Sequence, residues 1–514
     1  MTIKNDEREI KRTLWWLLAI SALIRCVVAA TVEFGNDEVY YWTYALYPDW
    51  SHFDHPPMVG WMIQLFSLNL LFDSEFFIRL SSLVFMTVNT YLMFRIGKEI
   101  KGGLTGLYAA LIYTASIYAF VITGIFILPD TPLSLFWLLA FWMAIKYFRA
   151  EKPSNTPLLL LGLFAGLAML SKYTGVFIWV GIGIYMLLFD RKHFKNPFLY
   201  LSVFISAVCC LPILYWNIQN DFVSLGFHSS RVSLFGKPNL SYLGTELAGE
   251  FFYNNPMNYV LAIVAVIAAF RGKIDMEKPS LRLILCISSP LIVVFIFFSL
   301  TRPTLPHWNA PSFNLLILLT ASLLSSKRTS EGNRVPLPKS IIASMAVMVL
   351  TLGFGYAEIQ TGFIPLDHHT EPEKLGRDDF TLDMYGWRQL EEKFAVLREQ
   401  TIEEGLMKEE DGIIGSQWFP LANLDYYVAR PLHMKVMGMG GLDDIHKYQW
   451  ITQDRGGFRQ GEDYWFLSDS HYMKYPNEVF PDAFVSIHHV GTITIERGGR
   501  PVKNFFVYAC KDLK

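Results

Sequence analysis

The chain has 514 residues, of which 52% are apolar, 15% aromatic and 18% charged. Soluble domains carry about 25% charged residues, so this balance favours a membrane protein. The formal net charge is -2 and the sequence has no dense stripe of Lys and Arg, which argues against nucleic acid as a partner, because phosphate backbones are held by concentrated basic residues.

Long apolar segments dominate the first 357 residues. A bilayer core requires about 20 apolar helical residues to cross it. The first segment reads as a retained helix, because many spans and no small-residue cleavage site follow it. The sequence therefore predicts eleven spans, although 157–171 and 174–189 could form one bent element. The eleven candidate segments are 13–32, 78–97, 103–123, 132–148, 157–171, 174–189, 197–217, 256–270, 282–300, 306–325 and 339–357.

Basic residues are distributed unevenly between the two sides of the predicted spans. With the N-terminus inside, the cytoplasmic segments contain 21 Lys or Arg residues, and the short segments on the other side contain about five. Cytoplasmic loops of membrane proteins carry such an excess. We therefore expect a multi-pass protein of the inner (plasma) membrane with its N-terminus in the cytoplasm and residue 358 on the periplasmic side.

The composition changes after residue 357, where Asp, Glu, Gly and Pro become frequent and no segment is long enough to span. A helical stretch runs from Trp387 to Gln400, and strand-like stretches such as Phe505–Val507 alternate with turns. We predict two domains: a transmembrane catalytic domain over 1–357 and a soluble periplasmic α+β domain over 358–514.

The first outer loop is rich in acids, histidines and aromatic residues. Asp37 and Glu38 follow the first span closely, which puts them near the membrane surface, and His55 lies downstream in Ser51-His-Phe-Asp-His-Pro-Pro-Met58. A carboxylate near the surface can meet the head group of a lipid-borne substrate. The alternative interpretation is a surface loop with solvated acids and with aromatic residues that anchor it at the interface.

Asp130 is a second acid on the same side, in the sequence Ile127-Leu-Pro-Asp-Thr-Pro-Leu133. The flanking prolines indicate a break between two spans. Ionisable groups near the hydrocarbon boundary are costly, so such a residue usually lines a polar cavity or has a partner. Alternatively, Asp130 caps the helix that begins near Thr131-Pro132.

Basic residues on the outer side are few, which makes each one informative. A lipid phosphate requires cations, which Arg can supply as a bidentate donor and Lys as a point charge. The alternative interpretation is that these side chains only extend to the interface from span ends. The candidates are Lys172 in Ser171-Lys-Tyr-Thr-Gly175, His228 and Arg231 in the loop 218–255, and Arg302 and His307 in Thr301-Arg-Pro-Thr-Leu-Pro-His-Trp308.

The order of these motifs resembles the bacterial relatives of the dolichyl-phosphate-mannose protein mannosyltransferases, a group that includes the aminoarabinose lipid A transferases. The resemblance covers roughly residues 10–325. It implies the C-type glycosyltransferase fold, a polyprenyl-phosphate sugar donor and a catalytic first acid, which corresponds to Asp37. The second outer acid would correspond to Asp130. Lys172 and Arg302 would correspond to the phosphate-binding bases by location alone.

We therefore expect a glycosyltransferase that moves a sugar from a polyprenyl-phosphate donor to an acceptor lipid, glycan or protein. The phosphate is a good leaving group, so one carboxylate base and several cations would suffice. We expect no cofactor and no metal, and the partners would be the lipid-linked donor, membrane lipid and the acceptor. The rival hypothesis is a transporter or flippase for lipid-linked sugars. A polysaccharide polymerase or ligase would use the same chemistry with another acceptor.

Overall fold

The computed structural model describes residues 2–230, 237–326 and 336–514. The chain forms two compact units: Met1–Ala30 with Asp49–Thr351, and Thr31–Pro48 with Leu352–Lys514. The second unit thus contains the segment that follows the first long helix in the sequence. The predicted domain limits, 1–357 and 358–514, stay a prediction.

Helices form the first unit and are joined by short 3-10 and π segments. Its α-helices, including those that end at residues 31 and 361, are Thr2–Thr31, Met58–Phe66, Glu75–Ile78, Leu80–Ile100, Gly103–Thr114, Asp130–Arg149, Asn155–Ser171, Phe177–Phe189, Pro197–Cys209, Leu211–Gln219, Val223–Ser230, Leu240–Tyr253, Pro256–Phe270, Lys278–Ser299, Ala310–Ser326 and Lys339–Thr361. The short segments are Tyr118–Ile122, Tyr173–Val176, Arg191–Lys195 and Pro306–Asn309.

Local sequence explains where several of these helices begin. The side chains of Asn196 and Asn255 each accept a hydrogen bond from the backbone N–H two residues ahead, at 3.0 and 3.1 Å. A proline follows each Asn at the first helical position. Asn at the cap and Pro directly after it are the residues that satisfy and pre-shape a helix start.

Four helices of the described residues are long and apolar enough to cross a membrane: Glu7–Thr31, Asp130–Arg149, Lys278–Ser299 and Lys339–Thr361. Two bent pairs raise this number to six, namely Pro197–Cys209 with Leu211–Gln219 at 41° and Leu240–Tyr253 with Pro256–Phe270 at 102°. The count of eleven spans stays a prediction. The region 218–255, expected as a loop, contains the helices Val223–Ser230 and Leu240–Tyr253.

The second unit is built on a five-stranded mixed sheet. The strands are β1 (Gly412–Gly415), β2 (Val436–Gly438), β3 (Tyr464–Asp469), β4 (Phe484–Arg497) and β5 (Arg500–Leu513). Their order is β2-β1-β3-β5-β4, with β1 parallel to both β2 and β3, and β5 antiparallel to β3 and β4. The helical segments of this unit are Asn36–Leu46, Phe380–Met384, Trp387–Glu403, Trp418–Asn423, Leu424–Ala429, Leu442–Ile445, Tyr448–Asp454 and Pro476–Val479.

Large aromatic side chains fill the core of this sheet unit. Trp465 of β3 is fully buried, and its ring meets that of Phe394 edge to face at 5.3 Å. The Trp387 and Phe505 rings lie 5.5 Å apart. The predicted helix from Trp387 to Gln400 is observed as Trp387–Glu403. The predicted fold class, a polytopic helical protein with a C-terminal α+β part, is confirmed.

Candidate functional site

Lys172 lies at a break between two apolar helices of the first unit. The helix Asn155–Ser171 ends there, because the Lys172 backbone is extended at φ -157° and ψ 139°. Gly175 allows the chain to turn back closely, since a Cβ at this position would lie 2.5 Å from the carbonyl carbon of Ala168. The predicted interruption between 157–171 and 174–189 is therefore present, and it holds a lysine.

Asp130 is the partner of this lysine. Lys172 Nζ lies 2.7 Å from Asp130 Oδ2, and the side chains are 7% and 3% exposed. The Tyr118 hydroxyl donates to Asp130 Oδ1 at 3.2 Å. Asp130 stands in the first turn of its helix, which favours an acid, but the cap position is Pro129 and the described residues supply no side-chain cap to this helix. Asp130 thus pairs with Lys172 and Tyr118 and does not serve as the cap of its helix.

Two histidines complete this group, which we call the Lys172 cluster: Lys172, Asp130, His55 and His307. His55 is within electrostatic reach of Asp130 and Lys172, and His307 is within reach of the same pair. Loss of water contact lowers the pKa of His55 to about 3. His55 is therefore uncharged at neutral pH and can serve a phosphate as a hydrogen-bond donor but not as a cation.

Around this cluster, further residues of the first unit form ring and hydrogen-bond contacts. The His228 Nε2 atom and the Asp54 carbonyl oxygen are 2.9 Å apart, and the rings of His228 and Tyr173 lie 4.7 Å apart. The Lys172 ammonium is 5.9 Å from the centre of the Trp308 ring. Lys172 thus has an aromatic neighbour as well as its acidic partner.

Asp37 and Glu38 lie in the second unit, in the first turn of the helix Asn36–Leu46. Glu38 is 2% exposed, and its Oε2 accepts a hydrogen bond from the Gly35 N–H at 3.0 Å at the start of this helix. Asp37 is exposed. The two neighbouring acids therefore differ: Glu38 satisfies the helix start, whereas Asp37 faces solvent.

Of the remaining predicted residues, Arg302 packs over an aromatic ring and Arg231 lies outside the described residues. The Arg302 guanidinium carbon is 5.8 Å from the centre of the Phe298 ring. The role of Arg302 in phosphate binding stays a prediction, as do the roles of all the site residues named from the sequence.

The sequence analysis missed a buried acidic pair in the first unit. Glu246 and Glu250 both lie on Leu240–Tyr253 and are fully buried. Asn309 donates to both carboxylates, and Thr304 Oγ1 donates to Glu246 at 2.6 Å. The sequence contains a signal for this pair, because two acids four residues apart share one face of a helix. The pair was missed because the segment was predicted to be a loop.

The sequence analysis also missed Tyr118, and no spacing or motif in the sequence points to a role for this residue. It lies in an apolar stretch twelve residues before Asp130 and reads as an ordinary interfacial aromatic residue. Only the π segment Tyr118–Ile122 and the break that follows it bring the hydroxyl to Asp130.

Comparison with known proteins supports the resemblance noted in the sequence. Residues 54–216 match the family model for dolichyl-phosphate-mannose-protein mannosyltransferase. The curated lipid A galacturonosyltransferase RgtD of Rhizobium johnstonii is 25% identical over 328 residues, or 62% of this chain. The match spans 66% of the length of that relative, just under two thirds.

Solved structures extend the likeness to nearly the whole chain. ArnT from Cupriavidus metallidurans bound to undecaprenyl phosphate aligns with a TM-score of 0.60 at 14% identity, over 95% of this chain and 97% of that one. The same protein in the apo state gives a TM-score of 0.61 at 14% identity, over 97% and 98%. At this identity the likeness concerns the fold. The chain therefore shares the fold of ArnT, and in sequence it is similar to the dolichyl-phosphate-mannose-protein mannosyltransferase family and to a lipid A galacturonosyltransferase.

Proposed function

We propose that this chain transfers a sugar from a polyprenyl-phosphate donor to an envelope acceptor on the periplasmic side of the inner membrane. The observation that carries the proposal is the buried ion pair between Lys172 and Asp130 at a helix break, with His55 and His307 within electrostatic reach. Charges are rarely retained inside an apolar helical unit without a ligand or a transported ion to serve.

A lipid phosphate fits this cluster chemically. In the proposal, the Lys172 ammonium uses its remaining donors for the phosphate oxygens, and the uncharged His55 adds a hydrogen bond. Asp130 positions Lys172 rather than contacting the sugar. As the sugar departs, negative charge accumulates on the phosphate, and the ammonium stabilises that charge where little water competes.

Transfer also requires a base for the acceptor. An acceptor hydroxyl oxygen forms the new bond to the anomeric carbon, the bond from that carbon to the phosphate oxygen breaks, and polyprenyl phosphate leaves. The acceptor proton passes to a carboxylate, which we assign to Asp37. Its exposure and the structural role of Glu38 support this choice, and so does its correspondence to the catalytic acid of the family that the sequence resembles.

The relatives support the donor and the acceptor class. ArnT from Cupriavidus metallidurans, which shares the fold, binds undecaprenyl phosphate, and the name of the curated relative indicates lipid A as acceptor and galacturonic acid as the sugar. We therefore propose a polyprenyl-phosphate sugar as donor and a lipid A, glycan or protein acceptor.

The test is release of polyprenyl phosphate by the purified protein in lipid nanodiscs. Mannosyl and galacturonosyl polyprenyl phosphates serve as donors, and an envelope lipid extract supplies the acceptor. We expect wild-type protein to release polyprenyl phosphate and Lys172→Gln to release little. Lys101→Gln is the control for loss of a lysine ion pair away from the Lys172 cluster, because Lys101 pairs with Asp275 at 3.0 Å beside a helix end, with the Asp275 side chain 83% exposed. Movement of intact donor between leaflets without cleavage would support the transporter and overturn the proposal.

A further inference from the structure

The loop 362–379 of the second unit folds back on itself. The side chain of Asp367, which is 12% exposed, closes it. Asp367 Oδ2 accepts a hydrogen bond from the Gly376 N–H at 2.8 Å, and Oδ1 accepts one from the Asp378 N–H at 3.3 Å. These contacts join positions 9 and 11 residues apart, so the two ends of the loop are held together.

The sheet fixes the middle of the same loop. The Asn504 side chain on β5 donates to the Pro372 carbonyl oxygen at 2.9 Å, and the Ser470 hydroxyl donates to the Leu375 carbonyl oxygen. Side chains that bind an ion need a backbone held in place by its own surroundings. The loop meets this condition through its contacts to the sheet.

Three side chains of the loop converge, and we call them the loop triad: Asp367, His369 and Asp378. One nitrogen or oxygen atom of each lies within 4.8 Å of the other two. The His369 Nδ1 atom is 2.8 Å from Asp367 Oδ1 and 3.7 Å from Asp378 Oδ2. The His369 and Asp378 side chains are 33% and 62% exposed, so the triad is open to solvent on one side.

A proton on the imidazole cannot join all three side chains. A protonated Nδ1 of His369 donates to Asp367, but its separation of 3.7 Å from Asp378 is too long for a hydrogen bond. One proton therefore serves one carboxylate. A metal ion, in contrast, bonds to the nitrogen and to both carboxylates at once and balances both negative charges.

The ligand atoms and the local charge favour zinc. Imidazole nitrogen and carboxylate oxygen both bind Zn²⁺, and three protein ligands leave the fourth tetrahedral position to water. Ca²⁺ and Mg²⁺ prefer sites made of oxygen alone. The stretch 367–378 contains four acidic and two basic residues, an excess of negative charge that attracts cations.

The spacing of the triad requires little adjustment for such an ion. Zinc bonds of about 2.0–2.2 Å put neighbouring ligand atoms about 3.3 Å apart. His369 Nδ1 would therefore move away from Asp367 Oδ1 by about 0.5 Å and towards Asp378 Oδ2 by about 0.4 Å. The Asp378 side chain is mostly exposed, so side-chain rotation is sufficient for this change.

We propose that the loop triad binds one Zn²⁺ ion, with water at the remaining position, and that the ion fastens the loop of the second unit. The sequence analysis predicted no metal, and an Asp-x-His with a further Asp nine residues later matches none of the usual zinc spacings. The Lys172 cluster belongs to the first unit, so the zinc site is independent of the proposed sugar transfer.

Calorimetry on the full chain in nanodiscs tests the proposal, with affinity tags removed, metal stripped by a chelator and ZnCl₂ as titrant. We expect the wild type to bind zinc. His369→Ala and Asp378→Ala should each weaken binding at least about tenfold, since losing a ligand costs no less than losing its outer partner. Asp378→Ala is the safer variant for folding because the side chain is 62% exposed. His368→Ala is the matched control, at the adjacent exposed histidine outside the triad, and should keep wild-type affinity.

Hydrogen exchange locates the bound ion. ZnCl₂ should slow amide exchange in peptides that cover 367–379 of the wild type and of His368→Ala, because an ion that binds the folded loop opposes its opening. The same peptides of Asp378→Ala should show no protection. MgCl₂ at the same concentration should protect none of the three proteins.

Three outcomes would overturn the proposal: no zinc binding by the wild type, equal zinc affinity in the wild type and Asp378→Ala, or protection confined to another part of the chain. Neither measurement requires turnover. Release of polyprenyl phosphate is measured separately, so failure of the zinc site and failure of the proposed function are distinguishable.

Discussion

The Lys172 ammonium and the Asp130 carboxylate form an ion pair of 2.7 Å in which both side chains are less than a tenth exposed. Removing one member of a buried pair leaves an uncompensated charge and costs about 3–5 kcal/mol, whereas replacing both by apolar residues is often neutral. A loss of activity in a single variant at either position therefore mixes lost stability with lost chemistry.

A double-mutant cycle separates these two effects. We expect Lys172→Met and Asp130→Leu each to lower the melting temperature strongly, and the double variant to recover most of the loss because no buried charge remains. The double variant should still release no polyprenyl phosphate if Lys172 binds the donor phosphate. Thermal unfolding in detergent and the release assay are measured on the same preparations. A stable double variant with wild-type turnover would assign the pair a purely structural role.

The neighbouring acids Asp37 and Glu38 should respond in opposite ways. Asp37→Asn should lower turnover at least about a hundredfold, as expected for loss of a general base, with little change in melting temperature because the side chain is exposed. Glu38→Gln should cost less turnover and remove about 0.5–1.5 kcal/mol of stability, since it weakens the hydrogen bond that Glu38 accepts from the Gly35 N–H. Kinetics and thermal unfolding of both variants check this. If both were harmless while Asp130→Asn abolished transfer, the base would have to be sought at Asp130.

The sequence alone predicted the helical membrane character, the α+β part and the helix near Trp387, because all three depend on local composition and periodicity. It also identified Asp130 and Lys172 as unusual charges on the same side. It did not predict that the two form a pair, because their contact depends on how Asp130–Arg149 packs beside Asn155–Ser171, across 42 residues of sequence.

The placement of residues 31–48 in the second unit was also beyond local reasoning. The Phe34 N–H donates to the Tyr427 hydroxyl at 2.7 Å, a contact between residues 393 positions apart. The Trp387 N–H likewise donates to the Glu33 carboxylate at 2.9 Å. No periodicity or composition signal links positions so distant. The hydrogen bond from the Gly35 N–H to Glu38, in contrast, joins residues only three positions apart, a local spacing that sequence reasoning can detect at a helix start.

The predicted orientation is tested by a reporter fusion. The distribution of Lys and Arg favours an odd number of crossings from a cytoplasmic N-terminus. Alkaline phosphatase joined after Gly362 should therefore be active in cells, and a reporter that works only in the cytoplasm should be silent at the same position. The opposite pattern would place Asp37 away from the periplasmic acceptor.

Acid should destabilise the protein through His55. Its pKa is about 3 in the folded chain, against about 6.5 when exposed. Between these two pH values the unfolded chain therefore binds one proton more than the folded chain. The free energy of unfolding falls as the pH is lowered from about 6.5, by at most about 1.4 kcal/mol per pH unit. Asp54, Asp130, Lys172 and His228 face this imidazole.

The measurement is the melting temperature at pH 7 and pH 5 in one detergent. We expect His55→Asn to show a smaller decrease between the two values than the wild type. His488→Asn, at an exposed position on β4, should keep the wild-type decrease. Equal decreases in all three proteins would mean that His55 titrates normally.

The helix break that holds Lys172 depends on Gly175, and a matched glycine tests this. A Cβ at Gly175 would lie 2.5 Å from backbone atoms of Ala168 and Met169, whereas one at Gly183 would meet no atom of the described residues within 4 Å. Gly175→Ala should therefore cost about 1–3 kcal/mol by forcing the backbone apart, and it should lower turnover because Lys172 is displaced. Gly183→Ala lies inside the helix Phe177–Phe189, where alanine is favoured over glycine by about 0.5–1 kcal/mol. Thermal unfolding and the release assay should thus separate the two variants, and identical behaviour would show that the close approach at Gly175 does not position Lys172.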